Sequence, residues 1–167
     1  MAIQQLGNER TTIYADGLDL VFERVFDAPQ DLVWRVMTDP EHVAQWWGPR
    51  GYTTTVETMD VRPGGRWRFI THTSGGEAIP FFGEYLEVDP PTRIVRTFGV
   101  DIPGFGEPGR ETTTLESLEE GRTRLVERGH FRTQEELDEQ IRVGMIAGAL
   151  DQYDKLAEAI AEAVAKR

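Results

Sequence analysis

Two hydrophobic periods alternate along this chain, and the points where one gives way to the other mark its elements. Leu18, Leu20, Phe22, Arg24 and Phe26 share one parity, with Val21, Glu23 and Val25 on the other, the period of two that a strand needs. A β-prone run from Thr11 to Ala15 precedes it. Asp16-Gly17, a strong tight-turn pair, joins the two, so the opening reads as a hairpin leading into a first long strand. The period then becomes helical: Leu32, Val33, Val36 and Met37 fall on one face, with Asp27 as the expected cap and Pro29 in the first turn. Asp39-Pro40 repeats the device for a second short helix through Val43 to about Trp47, which Gly48-Pro49 ends.

From Tyr52 to Phe131 the chain reads as strand and turn. Strands are expected over Tyr52 to Val61, Arg66 to Thr73, Phe81 to Val88, Arg93 to Val100, Thr112 to Leu118 and Thr123 to Phe131. Pro63-Gly64-Gly65, Gly75-Gly76, Asp89-Pro90-Pro91, the Pro- and Gly-rich stretch Asp101 to Gly109, and Glu119-Glu120-Gly121 separate them. Strands joined by short turns build an antiparallel sheet. The helical period returns at Thr133, where Thr133-Gln134-Glu135-Glu136 fits a capping box. An apolar stripe then runs through Leu137, Ile141, Met145, Ala149, Tyr153, Leu156 and Ile160, within about 160° of arc. One helix near 30 residues, roughly 45 Å long, is expected. The class is therefore α+β: a curved antiparallel sheet of six to seven strands wrapped around one long C-terminal helix, with two short helices after the first long strand. Residues 1–9 read as an N-terminal tail and 10–167 as a single domain. Because the sheet is wide and the helix narrow, the space between them holds either large side chains or a cavity.

Composition narrows the function. The 167 residues carry 18 Lys and Arg against 29 Asp and Glu, a net charge of −11, which repels phosphate backbones and argues against nucleic acid as a partner. No apolar run approaches the ~20 residues of a membrane helix, and Met1 to Leu6 lacks the basic and apolar regions of a signal peptide. A cytoplasmic location is expected. The chain has no cysteine, which removes thiolate chemistry and disulfides. His42, His72 and His130 show no metal-ligand spacing, so neither a metal nor a cofactor is expected.

Few residues carry obvious chemistry. Trp46 and Trp47 close the second short helix, where an indole would wall a pocket mouth or pack the helix pair onto the sheet rim. In Arg66-Trp67-Arg68-Phe69 the two aromatics share a face and the arginines take the other. Phe81 and Phe82 point to opposite faces, and Phe98 is a further interior candidate. His72 shares the face of Arg66 and Arg68, and His130 that of Arg128, so both histidines point away from a pocket and no catalytic residue is assigned. On the long helix, Met145 is adaptable, Ala149 is small and Tyr153 carries a hydroxyl. Gly144 and Gly148 suggest close approach of another backbone, a strand or a second subunit. The acidic runs at Glu119-Glu120, Glu135-Glu136 and Asp138-Glu139 read as solvated faces. There is no phosphate-cradling loop and no nucleophile elbow.

Several of these runs, taken in order, resemble a known superfamily. Phe22-Glu23-Arg24-Val25-Phe26-Asp27-Ala28-Pro29, Val33-Trp34 and Thr38-Asp39-Pro40-Glu41-His42 resemble the opening of SRPBCC domains, the START and birch-pollen-allergen fold. Trp46 through Gly51, Met59 through Trp67, Pro90 through Val95, and Gly144-Met145, Gly148 and Tyr153 through Leu156 resemble the branch named for the activator of heat-shock protein 90 ATPase. The resemblance spans about residues 10 to 164. It implies a helix-grip fold with a pocket between sheet and C-terminal helix. The leading expectation is a binding module for a small hydrophobic or amphipathic ligand, lined by Trp46, Trp67, Phe69, Phe98, Met145, Ala149 and Tyr153. A polyketide cyclase- or hydratase-like enzyme in the same cavity, and a co-chaperone-like interaction domain, are the alternatives. A homodimer and a chaperone partner stay open.

Overall fold

The computed structural model describes residues 6–167; of the expected N-terminal tail, residues 1–5 lie outside the described residues. Among the described residues, eight antiparallel strands form one sheet: β1 (Thr12–Asp16), β2 (Asp19–Phe26), β3 (Thr53–Met59), β4 (Arg66–His72), β5 (Ala78–Asp89), β6 (Arg93–Val100), β7 (Gly109–Ser117) and β8 (Thr123–His130). Their order is β1-β2-β8-β7-β6-β5-β4-β3. The eighth strand beyond the expected six to seven is β1, which pairs with β2 around the Asp16-Gly17 turn. Leu6 and Asn8 fold back onto this edge, with the Leu6 N–H donating to the Ile13 carbonyl at 2.6 Å.

Helices α1 (Gln30–Thr38) and α2 (Pro40–Trp46) carry the chain from β2, on one side of the sheet, to β3 at the opposite edge. The Asp39 side chain caps α2 as expected, accepting from the Glu41 N–H at 2.9 Å. Helix α1 differs: Pro29 occupies the N-cap position and no side chain caps it, so Asp27 does not serve there. Leu32, Val33, Val36 and Val43 are buried where these helices meet the core.

The C-terminal helix is interrupted. It runs as α3 (Gln134–Arg142) and, after a break, α4 (Met145–Ala165). Thr133 caps α3 through the Glu136 N–H at 3.1 Å, and Glu136 reaches back to the Arg132 N–H at 3.2 Å. The break falls at Gly144, whose φ of 89° lies in the left-handed region that glycine enters without strain. Gly144 is therefore a hinge between two helices rather than a seat for another backbone, and a Cβ on Gly148 would make only ordinary contact with Pro49. The stripe continues across the break because both segments lie along the sheet: Leu137, Tyr153, Leu156 and Ile160 are buried. Helix α4 also packs against α1 and α2. Buried Arg24 ties it to β2, donating to Asp154 at 2.7 Å. Among the described residues, no helix is long and apolar enough to cross a membrane.

Candidate functional site

The concave face of the sheet is apolar at its edges and polar at its centre. Near the β3–β4 edge, Trp67 and Phe69 point inward and are 1% exposed. Trp47 packs on them with ring centroids 5.9 and 4.9 Å away, and Phe81 and Phe98 complete the cluster at 5.7 and 6.1 Å from Trp47. One close approach makes room for it. A Cβ on Gly83 would lie 1.9 Å from the Thr97 carbonyl oxygen and 2.5 Å from Trp67 Nε1. Only glycine lets the indole lie across β5 and donate to Thr97 at 3.2 Å.

The local fold around Trp46 and Trp47 is held from three sides. The Trp46 indole donates to the Val36 carbonyl at 2.9 Å. The Thr54 hydroxyl donates to the Trp47 carbonyl at 2.9 Å. Gly48, with φ of 91°, donates its N–H to Gln152 at 2.9 Å and accepts from Lys155 at 3.2 Å. Both indoles are thus fixed facing the interior.

Beside this aromatic wall lies a cavity of about 30 Å³, lined by Met37, Thr38, Trp46, Trp47, Met59, Phe69, Tyr85, Ile94, Arg96, Thr113, Leu125, Glu127, Gln152, Tyr153 and Leu156. That is room for one or two water molecules. Met37, Thr38 and Met59 sit at the ends of α1 and β3 and retain partial exposure; they frame its mouth.

Polar groups converge on the inner wall because three neighbouring strands each place a charged residue on the inward side. Pairing sets Arg96 opposite Glu111 and Tyr85, and Thr113 opposite Glu127. Arg96 pairs with Glu111 at 2.8 Å, each 12% exposed, and its guanidinium lies 4.2 Å over the Trp67 ring, a cation–π contact. Burial works most strongly against the Arg96 charge, but Glu111, Tyr85 and Glu127 together outweigh it and raise the guanidinium above its ordinary value. Glu127 accepts from the Tyr153 hydroxyl at 3.0 Å and the Thr113 hydroxyl at 3.4 Å. Burial, then the Glu111 charge, push its carboxyl up to about 8 against the opposing pull of Arg96. This shift favours the protonated carboxyl at neutral pH. Tyr153 is raised well above the phenol range by burial and by the charges of Glu127 and Glu111. The Tyr85 hydroxyl, buried on the same wall, has no hydrogen-bond partner of good geometry. Burial raises it too, with Arg96 pulling the other way.

Of the residues expected to line a pocket, Trp46, Phe69 and Tyr153 are on the cavity wall. Trp67 and Phe98 stand behind it in the aromatic cluster. Met145 and Ala149 pack against the core but lie outside this cavity. The residues that sequence reasoning missed are Arg96, Glu111, Glu127 and Tyr85. Among titratable acid–base candidates, sequence reasoning weighed only the histidines; the structure adds Glu127, whose inward neighbour on β8 is the buried Leu125. The histidines do point elsewhere: His130 is exposed and pairs with Asp19, and His72 shares the outer face of β4 with Arg68, which pairs with Glu57 at 3.0 Å. No metal-holding group of His, Asp or Glu occurs among the described residues. A second, open groove of about 390 Å³ contains Arg50 and Lys155, but Glu158 clasps Arg50 and the Gly48 carbonyl takes Lys155.

A curved antiparallel sheet gripping a C-terminal helix, with a partly polar cavity between them, defines the helix-grip class. Within that class, residues 27–161 match the family described as activator of Hsp90 ATPase homolog 1-like protein, and the chain belongs to that family. Membership gives a general ligand-binding or co-chaperone-like domain and singles out no ligand. Among curated proteins none matches the chain. Solved structures share the fold: a Rhodobacter sphaeroides protein, 23% identical, covering 92% of this chain and 99% of that one at a TM-score of 0.84; an Arthrobacter aurescens protein, 22% identical, covering 90% and 91% at 0.82; and the AHSA1 protein of Silicibacter pomeroyi, 22% identical, covering 86% and 97% at 0.71.

Proposed function

We propose that this protein binds a small amphipathic molecule. The ligand's polar end enters the cavity, and its apolar body lies over the mouth framed by Met37, Thr38 and Met59. The observation that carries this reading is the polar wall itself. Desolvating an ion pair such as Arg96–Glu111 costs several kcal/mol, and exchanging such a pair for apolar side chains is often neutral or stabilising by about 1–4 kcal/mol. Stability alone therefore gives no reason to keep Arg96, Glu111, Glu127 and an unpartnered Tyr85 hydroxyl beside a cavity. A ligand with polar atoms does. The two methionines at the mouth adapt to a guest because their thioether chains are unbranched and flexible.

The test is a ¹⁵N NMR titration of the full chain with 2-phenylethanol. The indole N–H signals of Trp46 and Trp47 should move. In a folded Thr38→Trp variant, whose new side chain plugs the mouth, they should stay still. Shifts confined to the outer face of the sheet, or none at millimolar ligand, would sink the reading.

A second reading, a cyclase- or hydratase-like enzyme, gains support from Glu127, because a carboxyl that holds its proton near neutral pH suits general acid catalysis. Turnover of a bound carbonyl compound, lost in Glu127→Gln, would favour it over simple binding.

A further inference from the structure

We propose that the cavity selects a primary or secondary ammonium carried on a small apolar or aromatic body, the ammonium seating against Glu127 and the Tyr85 hydroxyl. This inference rests on the ligand-binding reading above and names the ligand's chemistry.

The argument is one of charge balance. Glu111 and Thr113 from β7, Arg96 from β6 and Tyr153 from α4 act on Glu127, and Tyr85 from β5 and Gln152 from α4 share its cavity. With Glu127 ionised, two carboxylates share one guanidinium, and that guanidinium is already committed to Glu111 at 2.8 Å and stacked 4.2 Å over Trp67. The proton on Glu127 compensates for a missing cation. An ammonium placed there supplies the same positive charge: Glu127 gives its proton to solvent, the ammonium takes its place beside the carboxylate, and the net charge of the wall is unchanged. The Tyr85 hydroxyl lines the same cavity and has no hydrogen-bond partner of good geometry, so its oxygen is an acceptor for the ammonium.

Other ligand charges fit worse. An anion would meet Arg96 on the cavity wall, but Glu111 already neutralises that guanidinium at 2.8 Å, so the anion would add a buried negative charge with no cation to balance it. A neutral head would leave the Glu127 proton in place and gain only an ordinary hydrogen bond, about half the strength of a charge-assisted one. The aromatic walls work in the same direction. Trp46, Trp47, Tyr85 and Tyr153 line the cavity, and a cation is attracted to aromatic ring faces. At long range the net charge of −11 draws cations toward the protein and repels anions.

The probes are 2-phenylethylamine and its neutral counterpart 2-phenylethanol, titrated calorimetrically at pH 7 into the full chain in two buffers of different ionisation enthalpy. The amine should bind about tenfold more tightly or better, releasing close to one proton per site. In Glu127→Gln, which keeps the size and neutral charge of the native side chain, the proton release should vanish and the preference should fall severalfold. Tyr85→Phe should weaken the amine more than the alcohol while proton release persists. Equal affinity for amine and alcohol, or amine binding without proton release, would overturn the inference and leave the ligand-binding reading standing. Binding of neither probe would overturn both.

Discussion

Glu127 occupies a strand position in line with fully buried, uncharged side chains. Inward on β8 lie Thr123, Leu125 and then Glu127, the first two 0% exposed. The same parity reasoning that placed Trp67 and Phe69 inside could have found it, along with Arg96 between Ile94 and Phe98 and Glu111 before Thr113 and Leu115. The signal is a charged residue in the inward parity, repeated on three consecutive strands. It was masked because β8 reads as a charge-rich strand, with Arg124 and Arg128 outward on either side of Glu127. The raised carboxyl has a consequence for stability. Between the ordinary Glu range near 4.5 and about 8, the unfolded chain has lost this proton while the folded protein keeps it. Stability therefore falls as pH rises through that window and levels off above it, with a slope of up to about 1.4 kcal/mol per pH unit from this one group. Glu127→Gln removes the titration. We expect the variant to match the wild type at pH 5, where both side chains are neutral, and to be more stable by up to about 4 kcal/mol at pH 8.5. Urea unfolding at the two pH values measures this, and an unchanged difference between them would contradict the assignment.

At the scale of elements, the order and type of the strands and the short helices were legible because alternation and turn chemistry speak directly for them. The expected Asp39 cap and the Thr133 cap are both present. The break at Gly144 was hidden because the stripe from Leu137 to Ile160 keeps helical spacing through it, so periodicity saw one helix where the backbone makes two. Contacts that join elements distant in sequence were not legible at all. Gly83 is the clearest case: in sequence it is a glycine inside a strand, and only the pairing of β4, β5 and β6 shows that the Trp67 indole crosses it. Gly83→Ala should therefore cost about 2 kcal/mol or more, since a Cβ at 1.9 Å from a backbone oxygen forces the strands apart or the indole out. The same variant should shift the Trp67 indole N–H signal by breaking its bond to Thr97. Wild-type stability with an unmoved indole signal would refute this account of the cluster.

At the scale of the molecule, the sheet order explains where the polar wall can sit. Strands β5 to β8 are central, flanked by β2 and β1 on one side and β4 and β3 on the other, so the residues they send inward are farthest from either edge. Helices α1 and α2 cross the concave face to reach β3, and α4 packs against them. Together they cover that centre and leave a mouth between the end of α1 and the end of β3. The sequence foresaw a sheet around a helix and space between them. It did not foresee that the space would be narrow and polar, because volume and charge there are set by side chains from nine elements at once.

The central claim is that a neutral carboxyl stands in this cavity awaiting a ligand's polar end. A carboxyl ¹³C NMR titration of Glu127, with and without 2-phenylethylamine, tests it most directly. In the free protein the signal should titrate near pH 8, and the amine should drive it toward the ionised position at neutral pH. Titration of the free protein in the ordinary carboxylate range, unmoved by the amine, would contradict the account.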